Sequence, residues 1–459
     1  MGWKKWFRRN YRVAVLGSFQ SGKTVFTTAL LNHIKHHDPN LLKVGRLGRT
    51  EPLSIVFDAE SSAENKTSAI ARFPYEDYRA MAAKKWPQKT KATSQYRCSF
   101  FRSDWSQTAA ELLIVDVPGE RYADIPMAKK TFAEWSDWLF STVFPSKDNR
   151  TQTEDYVALV SSPNPSPPDV ILESYKNTLA QLYKTFRPFV TPSTFLLAED
   201  GTFHGKEIFM EGNYANAHAG LSEDLQFAPL PSSLKVTSPE LYKSFADAFE
   251  RYKKQIVSPL CETLASVNQL VVVVDITTLL AANTAMKNGS RVLLEEIVDV
   301  LSPGCSTWGR IGNTLVSYLS GGHFDGSGIE RIAVVASKAD KVLPADSDKL
   351  VNLLKAMVGS IFERHRHRAS SLAVEYFTVA AAKSAKNVQG NEHQKRGTLQ
   401  GDLEESVYDT SSLPDKWPGQ WSVGEYCFPD IQPRFPDDEQ QAPEHIGLEQ
   451  IFNFLFDFK

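Results

Sequence analysis

At 459 residues the chain is too long for one ordinary domain and long enough to bury a large core, so two or three units are expected. Its 42% hydrophobic and 23% charged residues suit a soluble globular protein, and a formal net charge of -3 gives no reason to expect nucleic acid as a partner. Cys98, Cys261, Cys305 and Cys427 form no C-x-x-C pair, which argues against a zinc knuckle or a disulfide framework and for a reducing cytoplasm.

The start, Met1 to Arg9, carries aromatics among basic residues and lacks the apolar stretch of a signal peptide. It reads as a solvated terminus, the simpler reading, or as a peripheral contact with an anionic membrane surface. No apolar run reaches the roughly eighteen residues that a membrane helix needs.

Next comes the apolar strand Tyr11 to Leu16, then Gly17-Ser18-Phe19-Gln20-Ser21-Gly22-Lys23-Thr24, then a helical run opening at Val25. Strand, glycine-rich loop and helix make a P-loop, and the match to G-x-x-x-x-G-K-[ST] is complete. The glycines let successive backbone N–H groups of Phe19 to Val25 turn inward toward phosphate oxygens. Lys23 is expected on the β/γ-phosphates, the Thr24 hydroxyl on Mg²⁺, and the positive end of the helix beside both. His33 and His37 share one helix face at i, i+4, and a plain helix surface is the better reading than a metal site, since no glutamate base stands between them.

After an irregular Gly/Arg stretch, two strands, Gln95 to Phe101 and Glu111 to Asp116, read as a hairpin. The second ends in Asp116-Val117-Pro118-Gly119, a D-x-x-G in which Asp116 is expected to order Mg²⁺ and the Gly119 amide to approach a γ-phosphate. From 125 to 268 the strand signal gives way to helical segments, Met127 to Val143, Val170 to Phe186 and Glu240 to Leu264, separated by a Pro/Ser-rich stretch and a long loop. Strands then resume at Leu270 to Asp275, at Arg331 to Ala336, which leads into Ser337-Lys338-Ala339-Asp340, and at Ala373 to Val379. A polar stretch punctuated by Pro and Gly follows, and an apolar helix from Leu448 closes the chain.

P-loop, D-x-x-G and S-K-x-D in this order resemble the TRAFAC-type GTPases. The resemblance implies that Lys338 packs over a purine and that Asp340 accepts hydrogen bonds from guanine N1 and N2. Adenine lacks both donors there, so its binding would strand a buried carboxylate. The family's S-A-K loop has two registers here, Ala381-Ala382-Lys383 and Ser384-Ala385-Lys386, and the first is preferred because it directly follows the strand. Ser337 stands where the family usually has Asn or Thr, and Glu120 where Ras-like proteins have Gln. Hydrolysis is therefore expected to be slow, with Glu120 and Arg121 the nearest catalytic candidates, and Arg46 or Arg49 as other local arginines. Thr90, ahead of Thr93, is the candidate switch threonine on Mg²⁺.

With Phe73-Pro74-Tyr75 and Trp86-Pro87-Gln88-Lys89-Thr90 added, the layout resembles the bacterial YcjX family. That resemblance implies an α/β fold, a Ras-like P-loop G domain in three layers with a helical insertion, GTP/GDP and Mg²⁺ as ligands, and a cytoplasmic place near the inner membrane in envelope-stress responses. The expected boundaries are 1–10 for the N-terminal segment, 11–124 and 269–459 for the nucleotide domain with a loop-rich extension at 384–445, and 125–268 for the insertion, which would meet a protein partner. Two other readings stand beside this one: an ATP-using enzyme in which S-K-x-D is coincidental, and a membrane scaffold that retains its nucleotide without turnover.

Overall fold

The computed structural model describes residues 7–18, 21–45, 53–60, 70–84, 93–103, 108–145, 150–162, 164–186, 221–301, 329–368, 372–399, 402 and 404–456. The chain is a mixed α/β protein that divides into two compact units. In chain order it runs β1 (Phe7–Gly17), α1 (Lys23–Lys35), β2 (Ile55–Glu60), β3 (Ala71–Arg72), α2 (Tyr75–Lys84), β4 (Ser94–Arg102) and β5 (Thr108–Asp116). A 3-10 segment (Gly119–Lys129) leads to α3 (Phe132–Trp138), α4 (Arg150–Val160), α5 (Pro168–Phe186), α6 (Pro239–Tyr252) and α7 (Ser258–Ala265). Then come β6 (Gln269–Val274), α8 (Ile276–Ala281), α9 (Thr284–Leu301), β7 (Arg331–Ala336), α10 (Ser347–Arg368) and β8 (Ala373–Thr378). A small antiparallel sheet of β9 (Lys386–Val388), β10 (Asn391–Gly397) and β11 (Ser406–Asp409) precedes the closing helix α11 (Leu448–Leu455).

The first unit comprises 1–117, 265–287 and 315–459. Its sheet runs β2-β4-β5-β1-β6-β7-β8, with β3 paired beside β4. From β5 to β8 every neighbour is parallel, while β4 is antiparallel to β5 and β2 to β4. The parallel strands are covered on both faces, which is why β6 reads Leu270-Val271-Val272-Val273 without alternation and all four are buried. Helix α11 buries Leu448, Ile451, Phe452 and Leu455. Its last carbonyls are met by side chains: Gln269 Nε2 donates to Leu455 O at 2.6 Å and the Tyr11 hydroxyl to Phe456 O at 2.9 Å.

The second unit comprises 118–264 and 288–314. It is helical among the described residues, and its core is aromatic: Phe132, Trp135, Phe227 and Phe249 pack edge-on or tilted, with the Trp135 and Phe227 centroids 5.3 Å apart. The unit starts at Pro118, seven residues before the insertion expected from sequence, and also takes in 288–314. The single helix expected over 127–143 is interrupted. Pro126 lies in the 3-10 segment, and α3 begins afresh at Phe132 behind the N-cap Thr131, whose hydroxyl and Glu134 form a capping box.

His33 is fully buried, where a helix surface was expected. Its Nε2 lies 3.1 Å from Pro443 O, and since a carbonyl only accepts, Nε2 carries the hydrogen. Burial, then the nearby His445 ring, push His33 down to about 3. Below the ordinary His value of 6.5 the unfolded chain takes up a proton that the folded chain refuses until about pH 3, so this stability is complete above 6.5 and is lost as pH falls through that window. At pH 5 the loss is about 2 kcal/mol. The melting temperature is expected to fall between pH 7 and pH 5, and to fall less in His33→Gln; equal falls would remove His33 as the cause.

Candidate functional site

Strand β1 delivers the glycine-rich loop to the sheet edge where the parallel strands end. Gly17 closes the strand against β6: a Cβ there would sit 2.4 Å from the Val273 carbonyl oxygen and 2.6 Å from Ser21 Oγ. Backbone cannot swing aside as a side chain can, so Gly17→Ala is expected to destabilise the protein by about 1–3 kcal/mol, read as a lower melting temperature. Ser18 O accepts from Ser21 N at 3.2 Å and from Lys23 Nζ at 2.9 Å, folding the lysine over its own loop. Gly22, at φ +95°, makes the left-handed turn into α1. The first turn of α1 has no acidic residue and Gly22 offers no side-chain cap, so the positive end of the helix dipole favours an anion there. Phe19 and Gln20 lie outside the described residues.

Asp116 ends β5 and is buried, paired in register with Val15 on β1 and Ser94 on β4. Thr93 directly precedes Ser94, so it lies at the same strand ends as Asp116. Thr90, Arg46 and Arg49 lie outside the described residues. Gly119, Glu120 and Arg121 belong to the second unit, which opens at Pro118; the Arg121 amide donates to Pro118 O at 3.1 Å, and the Glu120 side chain is outside the description.

The other wall comes from β7. Ser337 Oγ donates to Ser21 O at 2.8 Å, tying the segment Ser337-Lys338-Ala339-Asp340 directly to the glycine-rich loop. Gly22 and Val25, from the loop and α1, and Asp340, Ala381, Ala382 and Ser384, from the turns after β7 and β8, line one open cleft. Asp340 Oδ2 accepts from Ser384 N at 2.9 Å and Ala385 N at 2.8 Å. The two candidate registers after β8 are thus used differently: Ala381 and Ala382 form wall, whereas Ser384 and Ala385 hold the carboxylate. The Lys383 amide donates to Glu444 O at 2.7 Å, and its ammonium turns to the Glu444 carboxylate at 3.4 Å.

Lys338 and Lys341, flanking Asp340 in the chain, belong to a charge network that pattern reading does not find. Lys338 Nζ stands 2.7 Å from Asp275 Oδ2, and Lys341 Nζ stands 2.8 Å from Asp430 Oδ1. Asp275 also caps α8, accepting from Thr278 N at 2.9 Å. Burial alone would raise the Asp275 carboxyl, but the Lys338 and Lys341 cations and the hydrogen bonds from Lys338 and Thr277 hold it well below the carboxylate range. Burial and repulsion from Lys338 lower the Lys341 ammonium, partly offset by Asp430 and Asp275. The available signal was weak: Asp275 is an acidic residue at a strand end, and Asp430 sits in a polar loop.

Among the described residues no group of three or more His, Cys, Asp or Glu could hold a metal, so a divalent ion here would need ligand and water oxygens beside Thr24 and Asp116. No described helix is long and apolar enough to cross a membrane.

The family model described as "YcjX-like family, DUF463" matches residues 11–459. The chain is 22% identical to the Ras-like GTPase YcjX of Escherichia coli (strain K12), covering 97% of this chain and 95% of that protein. It is 24% identical to the Ras-like GTPase YcjX of Shewanella oneidensis (strain MR-1), covering 97% and 94%.

Proposed function

The chain belongs to the YcjX-like family, and from that premise we propose that it is a P-loop GTPase, a guanine-nucleotide-dependent switch with slow Mg²⁺-dependent hydrolysis. The observation that carries this reading is the single cleft shared by Gly22, at the start of α1, and Asp340, with Ser337 Oγ bonded to Ser21 O between them. A nucleotide needs such a cleft, with phosphates at a helix N-terminus and base at a carboxylate. The names of the two relatives point the same way.

In this mechanism Lys23 and the amides of Phe19 to Val25 hold the triphosphate, and Asp340 accepts from guanine N1–H and N2–H. Lys338 lies along the base, and Ala381 and Ala382 wall it. Thr24, Asp116 and a switch threonine, Thr90 or Thr93, would hold Mg²⁺, whose charge offsets that of the β- and γ-phosphates. The Gly119 amide would approach the γ-phosphate. Glu120 would orient the attacking water, with Arg121 as a local cation for the developing charge. The helical unit would report the nucleotide state to a protein partner, and a role in envelope stress near the inner membrane follows from the family resemblance.

Calorimetric titration of the full chain with GTP and with ATP, in Mg²⁺, tests the reading. GTP is expected to bind at least about 100-fold tighter than ATP. Equal affinities would leave a phosphate site without base selection, and no binding of either would end the proposal.

A further inference from the structure

The segment 429–434, part of the loop-rich extension expected over 384–445, runs along the purine end of the cleft. Ile431 and Pro433 line the cleft, Gln432 N donates to Thr398 O at 2.8 Å, and Ile431 pairs with Leu399 as an isolated bridge. Arg434 N donates to Ser384 Oγ at 2.7 Å, and the Ser384 amide is one of the two donors to Asp340. This strap therefore touches the loop that holds the base-reading carboxylate.

At its other end Asp430 reaches the S-K-x-D turn. Its Oδ1 lies 2.8 Å from Lys341 Nζ and 3.6 Å from Lys338 Nζ. The Lys341 side chain is only 5% exposed, so its ammonium is a buried charge for which Asp430 supplies the opposite sign. Lys338 is the one non-glycine residue with positive φ among the described residues, at +59°. A lysine in that conformation persists when its surroundings hold it, and here its ammonium stands between Asp275 and Asp430.

We propose that Asp430 is a positioning residue of the purine site, fastening the strap 429–434 to Lys338 and Lys341 so that the strap walls in a guanine nucleotide and slows its release. This rests on the guanine-nucleotide reading above. A strap bonded at both ends must loosen before the base can leave, so the effect falls on dissociation more than on association. Phosphate contacts at α1 are untouched.

The test is the release of fluorescently labelled (mant) GDP from the full chain, chased with excess GDP, alongside calorimetry with inorganic tripolyphosphate. Asp430→Asn is expected to speed release at least about tenfold, with tripolyphosphate binding unchanged. Asp430→Glu, which keeps the charge, should restore slow release. Lys341→Met removes the buried ammonium without orphaning a charge inside and should also speed release, which guards against misfolding of the first variant. Release within about twofold of wild type in both Asp430→Asn and Lys341→Met, or equal weakening of GDP and tripolyphosphate, would overturn the positioning role while leaving nucleotide binding intact. A wild-type chain that binds tripolyphosphate but no GDP would instead sink the guanine reading, and this inference with it.

Discussion

Asp340→Asn is expected to lower GTP affinity by roughly 10²–10³-fold and to raise that for xanthosine triphosphate. The geometry decides how the amide would sit. Asp340 Oδ2 already accepts two backbone N–H bonds, from Ser384 and Ala385 at 2.9 and 2.8 Å, so the asparagine must keep its oxygen there. Its NH₂ then takes the position of the other carboxylate oxygen. Guanine would present N1–H and N2–H₂ to a donor, leaving buried polar groups unpaired. Xanthine carries a carbonyl at C2, which can accept from that NH₂. Because the two loop amides keep their acceptor, the ligand-free melting temperature should barely move. Competition titrations with GTP, ATP and xanthosine triphosphate read the outcome. An unchanged preference would remove Asp340 from base recognition.

The second large effect is at the phosphate end. Lys23→Ala is expected to slow single-turnover GTP hydrolysis by roughly 10²–10³-fold, the cost of removing one preorganised donor from developing charge. Lys23 is 7% exposed and its Nζ already donates to Ser18 O at 2.9 Å, so the ammonium is held beside its own loop with little freedom to lose on binding. Lys23→Arg should not rescue the rate, because a planar guanidinium cannot occupy the place of a compact ammonium in a tight loop. Phosphate release after rapid mixing with GTP and Mg²⁺ measures both. Hydrolysis by Lys23→Ala within threefold of wild type would mean that the phosphates bind elsewhere.

Where the chain's own pattern was decisive, the reason was local. A short β-branched run such as Leu270-Val271-Val272-Val273, stopped by Asp275, reads as a strand covered on both faces, and the loop from Gly17 to Thr24 carries its glycines where the backbone turns. β10 shows the opposite case. Asn391-Glu392-His393-Gln394-Lys395-Arg396-Gly397 has no apolar period, and one of its buried residues is Lys395, whose ammonium donates to Asn387 Oδ1 at 2.7 Å. Nothing in the composition announces such a strand, because its ladder partners supply what apolar burial supplies elsewhere. β2 was missed for a related reason: Glu60 ends it and is held by Arg72 and by the Tyr96 hydroxyl, at 2.9 Å, from other strands.

The same division runs through the site. By itself the amino-acid order determined the glycine-rich turn, the acidic strand end at Asp116 and the S-K-x-D turn, since each depends on residues within a few positions of one another. Folding alone decided that Ser337 would bond Ser21, 316 residues away in the chain, that Ser384 and Ala385 would carry the Asp340 carboxylate, and that Asp430 would meet Lys341. Such meetings leave no periodic trace in the chain. They depend on which strand ends the parallel sheet gathers at one edge, and that is set by the packing of the whole unit.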